Sequence, residues 1–270
     1  MISIRDLILD FQTHDGPRRV LDGISLEIAD GEFVALMGAN GSGKTSLARC
    51  LNGIFTPTAG KVIIDGLDTR DAKALPEIRR RVGLVFQNPD NQMVAPTVER
   101  EIAFGPENLG VPRPEMQRRV DMLLEFFHLE AYRQQAPHLL SGGEKQRLAL
   151  AAVMAMQPRH IVFDEPTSLL DYESRCQALE LMKRLASSPT LFSDHPLTVV
   201  MITQFPEEAL FADRLLILDH GQVVMDGPPV QIFLHIEELH KSEVCPPIEF
   251  LAHQKCQKYP IEDFLLSPIL

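Results

Sequence analysis

The chain has 270 residues, 45% of them hydrophobic, which suits one large domain or a domain with a smaller appendage. Acidic residues outnumber basic ones, 37 to 26, and the formal net charge is -11. That balance argues against nucleic acid as a partner and against direct binding to anionic lipid, so any membrane contact is expected to run through a protein.

Ile2–Leu9 alternates enough to form a strand, and the charged start Met1-Ile2-Ser3-Ile4-Arg5-Asp6 lacks the apolar run of a secretory signal. Ile24–Ile28 is a second strand. Phe33–Met37 is a buried strand that runs into Gly38-Ala39-Asn40-Gly41-Ser42-Gly43-Lys44-Thr45, and the helix-like stretch Ser46–Leu51 follows. Strand, glycine-rich loop and helix form the setting in which G-x-x-x-x-G-K-[ST] binds nucleotide phosphates. Glycines let successive backbone N–H groups turn toward one anion. The helix adds its positive N-terminal end. Gly38 through Ser46 are therefore the candidate phosphate-binding residues. Lys44 is expected to reach the β- and γ-phosphates, and the Thr45 hydroxyl to ligate Mg²⁺.

Lys61–Asp65 and Val82–Phe86 are further strands. From Thr97 to Arg147 the pattern turns helical; within Met116–Phe127 the apolar residues Val120, Leu123, Leu124 and Phe127 fall at helical spacing. His160–Phe163, Leu197–Ile202 and Leu215–Leu218 are short apolar runs of the buried parallel kind, and Asp171–Leu185 between them is helical. Strands alternating with helices predict an α/β sheet with a helical insertion at about 97–147. From Pro228 the character changes: six prolines fall in the last 43 residues and the strand signals stop. Residues 1–227 are read as the nucleotide-binding unit and 228–270 as a small C-terminal extension.

The longest uncharged apolar run, Leu148–Met156, is nine residues, far short of the roughly 20 that cross a bilayer, so a soluble chain is expected. Cys50, Cys176, Cys245 and Cys256 form no C-x-x-C pair, which predicts reduced thiols in a cytosolic protein.

Two later segments carry chemistry. Leu140-Ser141-Gly142-Gly143-Glu144-Lys145-Gln146-Arg147 opens a helix, with Ser141 and Glu144 as a capping box. Its two glycines bare the backbone beside the positive helix end, a second anion site built differently from the first. His160-Ile161-Val162-Phe163-Asp164-Glu165 places an acidic pair at the end of a buried strand. Asp164 suits a role on Mg²⁺, and Glu165 is placed to polarise a water. Gln87, after the strand Val82–Phe86, can bridge metal and water.

The run Leu140–Arg147 is similar to the ABC signature. With the phosphate loop, Gln87 and Asp164-Glu165 in this order, the stretch of about residues 1–227 resembles an ABC-type ATPase. Val85-Phe86-Gln87-Asn88-Pro89-Asp90-Asn91-Gln92, with Thr97-Val98-Glu99 and Ala103-Phe104-Gly105, resembles the ATP-binding subunits of energy-coupling-factor transporters. The cobalt and nickel importer ATPases belong to the same group. The tail Glu237–Leu251 is similar to the C-terminal extension of that group. The resemblance implies a mainly parallel core sheet, an N-terminal antiparallel part, a helical insertion and a small extension. It implies ATP and Mg²⁺ as ligands and an ATP-hydrolysing subunit at the cytoplasmic face of a vitamin or metal-ion importer. It places Phe11 against adenine, Asp171 in a loop that crosses a dimer interface, and Ser141, Gly142 and Gly143 on the γ-phosphate held by the opposite subunit. Its partners would be a transmembrane coupling subunit, a substrate-capture subunit and a second ATPase, identical or paralogous. Glu165 would be the general base, with Lys44 and Gln87 beside it.

One position departs from the pattern. Thr203-Gln204-Phe205 stands where the family has a histidine after the threonine, so Gln204 replaces a group that touches the γ-phosphate. Glutamine keeps a donor and an acceptor but takes up no proton. Two outcomes follow: Gln204 is a working substitute, or the site is slowed and a paralogue carries the faster one. A soluble ABC ATPase of DNA repair or translation is a rival reading. Only 53 residues separate Gln87 from Ser141, which leaves no room for a long coiled coil, and the acidic balance argues the same way. A dimerisation switch without turnover is another. His235 and His240 are five apart and fall on different helix faces, so they are read as surface residues. Arg79-Arg80-Arg81 is read as a solvated helix end, and Asp90 as either a turn residue or a contact for a basic partner helix.

Overall fold

The computed structural model describes residues 1–14, 16–187, 195–256 and 261. Phe33–Met37 is strand β3, and all five of its residues are buried. Side chains alternate across a strand. Phe33, Ala35 and Met37 therefore enter one core while Val34 and Leu36 enter another on the opposite face. A strand covered on both faces needs no polar alternation, which is why this run is uniformly apolar.

Around it lies a six-stranded sheet in the order β10-β9-β3-β8-β7-β6 among the described residues. Its parallel members are β3, β6 (Val82–Val85), β7 (His160–Asp164), β8 (Thr198–Ile202) and β9 (Arg214–Asp219). β10 (Gln222–Gly227) closes the edge antiparallel to β9. No strand was expected there. Its residues are exposed or half-buried, and the turn before it holds His220 and Gly221 at φ 44° and 80°, a hairpin geometry.

The first core face is covered by helices α3 (Val98–Asn108), α4 (Arg113–Phe126) and α5 (Gly142–Met154) of the insertion, and by α6 (Tyr172–Ser187). The second is covered by α1 (Lys44–Leu51) and a four-stranded antiparallel sheet, β2-β1-β4-β5. Here β1 (Ile2–Thr13) and β2 (Gly16–Ile28) run longer than their apolar alternation predicts. Their outer ends, such as Phe11 opposite Arg18, form a half-exposed ribbon beyond the core, so no alternation marks them. β4 (Ala59–Ile64) pairs with β1, and β5 (Leu67–Asp68) with β4. Past β10, helices α8 (Pro229–Phe233), α9 (Ile236–Lys241) and α10 (Ile248–Cys256) follow. Phe233, Leu239, Val244 and Phe250 are buried in the same core as α3 to α6. Pro260 and Pro268 of the proline-rich tail, and the Cys256 side chain, lie outside the described residues. Cys50, Cys176 and Cys245 are free thiols.

Asp65 fastens the antiparallel sheet to the core sheet. Its carboxylate accepts from the Met1 ammonium at 2.7 Å and from His160 Nε2, at the start of β7, at 3.1 Å. Burial pushes this carboxyl up, but Met1 and His160 outweigh it and hold it at about 2. His160 itself is lowered, chiefly by burial, against the pull of Asp65. Both groups bind fewer protons folded than unfolded over their windows, so both stabilise the fold less as pH falls. The contribution of these two groups is expected to be flat above about pH 7. It declines once the unfolded histidine protonates near pH 6.5, and again below about 4 as the unfolded Asp65 protonates. Asp65→Asn should lower stability at neutral pH by about 1–2 kcal/mol and flatten the lower limb of that curve. Urea unfolding across pH 3–8 checks it, and an unchanged acid limb in the variant would refute the fastening role.

Candidate active site

Parallel strands end together, so the loops after β3, β6, β7 and β8 open on one edge of the sheet. Leu36 pairs with Ile202 and Asp164 with Ile202, which brings the residues that follow into one cleft. Gly38 starts the first loop at φ 149°, and a Cβ there would lie 2.0 Å from the Leu218 carbonyl oxygen. Gly43 ends it at φ 111°, where a Cβ would meet Leu21 at 2.8 Å and the Val20 carbonyl oxygen at 2.9 Å. Larger residues at either end would force the loop apart. Lys44 is buried, and its Nζ donates to the carbonyl oxygens of Gly38 and Ala39, each at 2.8 Å. Burial lowers its pKa, against the pull of Glu165 and Asp164.

Thr45 Oγ1 donates to Asp164 Oδ1 at 2.9 Å. Burial raises the Asp164 pKa; the Thr45 bond opposes this and Glu165 adds to it. A hydroxyl and a carboxylate side by side are hard oxygen donors, a set that fits a small divalent cation. Glu165, just past β7, sits at φ 51°, an uncommon conformation for a residue with a side chain. Its carboxylate lies between two amides. Gln87 Nε2 donates to Oε2 at 2.9 Å, and Gln204 Nε2 donates to Oε1 at 2.7 Å. Gln87 also donates to Ser168 Oγ at 3.2 Å, and Gln204 to Asn40 Oδ1 at 3.1 Å.

A cleft of about 350 Å³ opens beside this group. One wall is Phe11, Arg18 and Val20 of the first hairpin; the other is Asn40, Gly41, Gly43 to Ser46, and Glu165. Phe11 is braced edge-on by Phe55, with ring centroids 5.1 Å apart. Ser141, Gly142 and Gly143 form no part of its lining. Ser141 caps α5, accepting from the Glu144 N–H while Glu144 Oε2 accepts from the Ser141 N–H at 2.7 Å. Gly143 packs so closely on α6 that a Cβ would lie 2.9 Å from Ser174 Oγ. Asp171 accepts from the backbone N–H and the hydroxyl of Ser174, both at 2.9 Å, which fixes the loop in front of α6.

The ABC transporter family model matches residues 21–168, more than half of the chain. The chain belongs to the ABC transporter family. It is 43% identical over 252 residues to the energy-coupling factor transporter ATP-binding protein EcfA1 of Symbiobacterium thermophilum, covering 93% of this chain and 86% of that one. It is 48% identical over 229 residues to the cobalt import ATP-binding protein CbiO of Syntrophus aciditrophicus, covering 85% and 79%. The structure of cbiO1 from Clostridium perfringens, part of the ABC transporter complex cbiONQ, superposes with a TM-score of 0.77 at 28% identity, covering 94% of this chain and 98% of that one. The expectation of an ABC ATPase of the energy-coupling-factor group is borne out by these relatives, and so is the α/β fold.

Within this ABC ATPase, one chain gathers the phosphate loop, Thr45, Asp164, Glu165, Gln87 and Gln204 at one cleft. Its signature residues lie elsewhere, at the start of α5. Sequence reading missed three neighbours. Arg18 and Val20 reach the cleft from a hairpin arm with no motif, and Ser168 reaches Gln87 only through the turn after Glu165. Their only sequence signal is position relative to Phe11 and Glu165.

Proposed function

We propose that this chain hydrolyses ATP in an energy-coupling-factor importer, as one of two ATPase subunits seated under membrane subunits. The observation that carries this is the clamp on Glu165: a carboxylate between two amide donors, next to the Thr45–Asp164 pair and the Lys44 ammonium. In that place Glu165 serves as general base for the attacking water, held at one angle by Gln87 and Gln204. Lys44 and the loop N–H groups draw charge off the β- and γ-phosphates. Thr45 and Asp164, with Gln87, would hold Mg²⁺, which supplies charge neutralisation on the phosphates. Phe11 would face the base and Arg18 the ribose-phosphate side.

Ser141, Gly142 and Gly143 are exposed or half-exposed at a helix N-terminus and serve the nucleotide of a second ATPase copy. Leu169 and Tyr172, 63% and 72% exposed on either side of Asp171, suit that same contact. A second groove, of about 310 Å³, is lined by Arg79, Arg80, Gln92, Phe104, Leu109 and Met156. Its apolar floor and basic rim suit an amphipathic helix of a membrane subunit. Asp90 lies in the turn after Gln87 and is ion-paired with Lys145 of α5 at 2.8 Å. No helix among the described residues is long and apolar enough to cross a membrane. The likeness to ATP-binding proteins of membrane transporters supports a peripheral place at the cytoplasmic face. Residues 1–227 would form the ATPase unit and 228–270 its extension. The protein is tested by tagging it and identifying what co-purifies in mild detergent. An integral membrane protein in fixed ratio is expected; recovery of this chain with soluble proteins alone would overturn the reading.

Gln204 stands where the family resemblance places a histidine. Its amide bridges Glu165 to Asn40 of the phosphate loop, a geometry that supports a working substitute for histidine. Gln204→Ala is expected to lower turnover by about tenfold or more while ATP affinity stays close to the parent's. Gln204→His should bring a pH dependence near 6.5 that the parent lacks. Parent-like turnover in Gln204→Ala would instead move the chemistry to the partner's site.

A further inference from the structure

Behind the cleft lies a buried carboxylate that the hydrolytic chemistry does not use. Glu208 is 1% exposed, in the short helix α7 (Pro206–Ala209) that follows Gln204. A buried carboxylate is costly unless hydrogen-bonded. Glu208 Oε1 accepts from Thr167 Oγ1 at 2.7 Å, and Oε2 accepts from Thr203 Oγ1. Both threonines are themselves 1% exposed. Burial pushes the Glu208 pKa up, and these two bonds oppose it.

The two threonines belong to different loops. Thr203 immediately precedes Gln204, and its N–H donates to Leu36 at the end of β3. Thr167 lies two residues past Glu165, in the turn closed by the Ser168 hydroxyl on the Glu165 carbonyl at 3.0 Å. It also begins the partner-facing stretch, since the Leu170 N–H donates to the Thr167 carbonyl at 3.1 Å. From the far end of that stretch, the Arg175 guanidinium of α6 stacks on Phe205, 4.2 Å from the ring centre. The loop of Gln204 is thus tied to both ends of the loop that presents Leu169 and Asp171.

We infer that Glu208 is a positioning residue: it locks the Glu165 turn against the Gln204 loop, so that a shift of the partner-facing loop is felt at the base. This rests on the proposed role of Glu165 and Gln204. A fastening that served the fold alone would act equally whether or not Gln204 could reach Glu165. One that acts through Gln204 would not.

The test is steady-state phosphate release by the complex that co-purifies with the full-length tagged chain. Parent, Glu208→Ala, Gln204→Ala and the double variant are compared. Glu208→Ala is expected to lower kcat by about tenfold with KM for ATP nearly unchanged. Glu208→Gln, whose amide can still bridge two hydroxyls, should restore most of the rate. In the Gln204→Ala background the Glu208→Ala loss should shrink to nearly nothing, because neighbours acting as a unit are not additive. Should Glu208→Ala not fold, Thr167→Val carries the same cycle with one arm of the bridge removed. A loss of equal size in both backgrounds, or a change in KM alone, overturns the inference. Glu165→Gln is the control. If it keeps parent turnover, the reading of the site falls and the inference with it. If it loses turnover while Glu208→Ala keeps it, only the inference falls.

Discussion

Lys44→Ala is expected to remove nucleotide binding by this chain. The ammonium is buried at the mouth of the phosphate loop, where it donates to Gly38 and Ala39. Those carbonyl bonds hold a point charge where the β- and γ-phosphates would lie, and burial strengthens its pull on an anion. Alanine removes the charge and the bonds it would make to phosphate oxygens, at about 1.5–3 kcal/mol each, or roughly 10²–10⁴-fold in affinity for two such bonds. Calorimetric titration of the purified chain with ATP measures it, and circular dichroism shows whether the fold persists. Unchanged affinity in a folded variant would sink the assignment of the loop.

Glu165→Gln is expected to keep ATP and stop hydrolysis. The side chain keeps its size, but a glutamine cannot take the proton of the attacking water. Loss of a general base lowers the rate by roughly 10²–10⁴-fold. It also offers one acceptor oxygen where Gln87 and Gln204 now donate to two, so one of those amides loses its bond to residue 165 and keeps only Ser168 or Asn40. With ATP and Mg²⁺ retained and cleavage blocked, the ATP-bound pair of subunits should accumulate. Light scattering with size exclusion reads this directly, with the paralogue present where the pair is mixed. A variant that remains a single subunit under saturating ATP contradicts the composite site.

The phosphate loop was legible because its chemistry is local. Gly38 and Gly43 must be glycine for reasons written into the backbone at those two positions. The buried parallel strands were legible too, because burial on both faces leaves an apolar run such as Phe33–Met37. What the sequence did not show is carried by long-range contact. Arg18 and Val20 enter the cleft from a half-exposed ribbon without periodicity. β10 is a half-exposed edge strand and carries no strong strand signal. Glu208 looks, in sequence, like one more acid among Glu207 and its neighbours; only the return of two loops onto it makes it a buried bridge. The pairing of Gln87 and Gln204 on one carboxylate likewise depends on strand order, which brings residues 78 and 39 positions away from Glu165 to the same group.

Phosphate release by the detergent-solubilised complex that co-purifies with this chain, parent beside Glu165→Gln, tests the central claim most directly. Release by the parent that depends on ATP and Mg²⁺, and that falls by at least ~10²-fold in Glu165→Gln, is the expected result. Equal release from the two complexes, or none from either, would contradict hydrolysis at the Glu165 site.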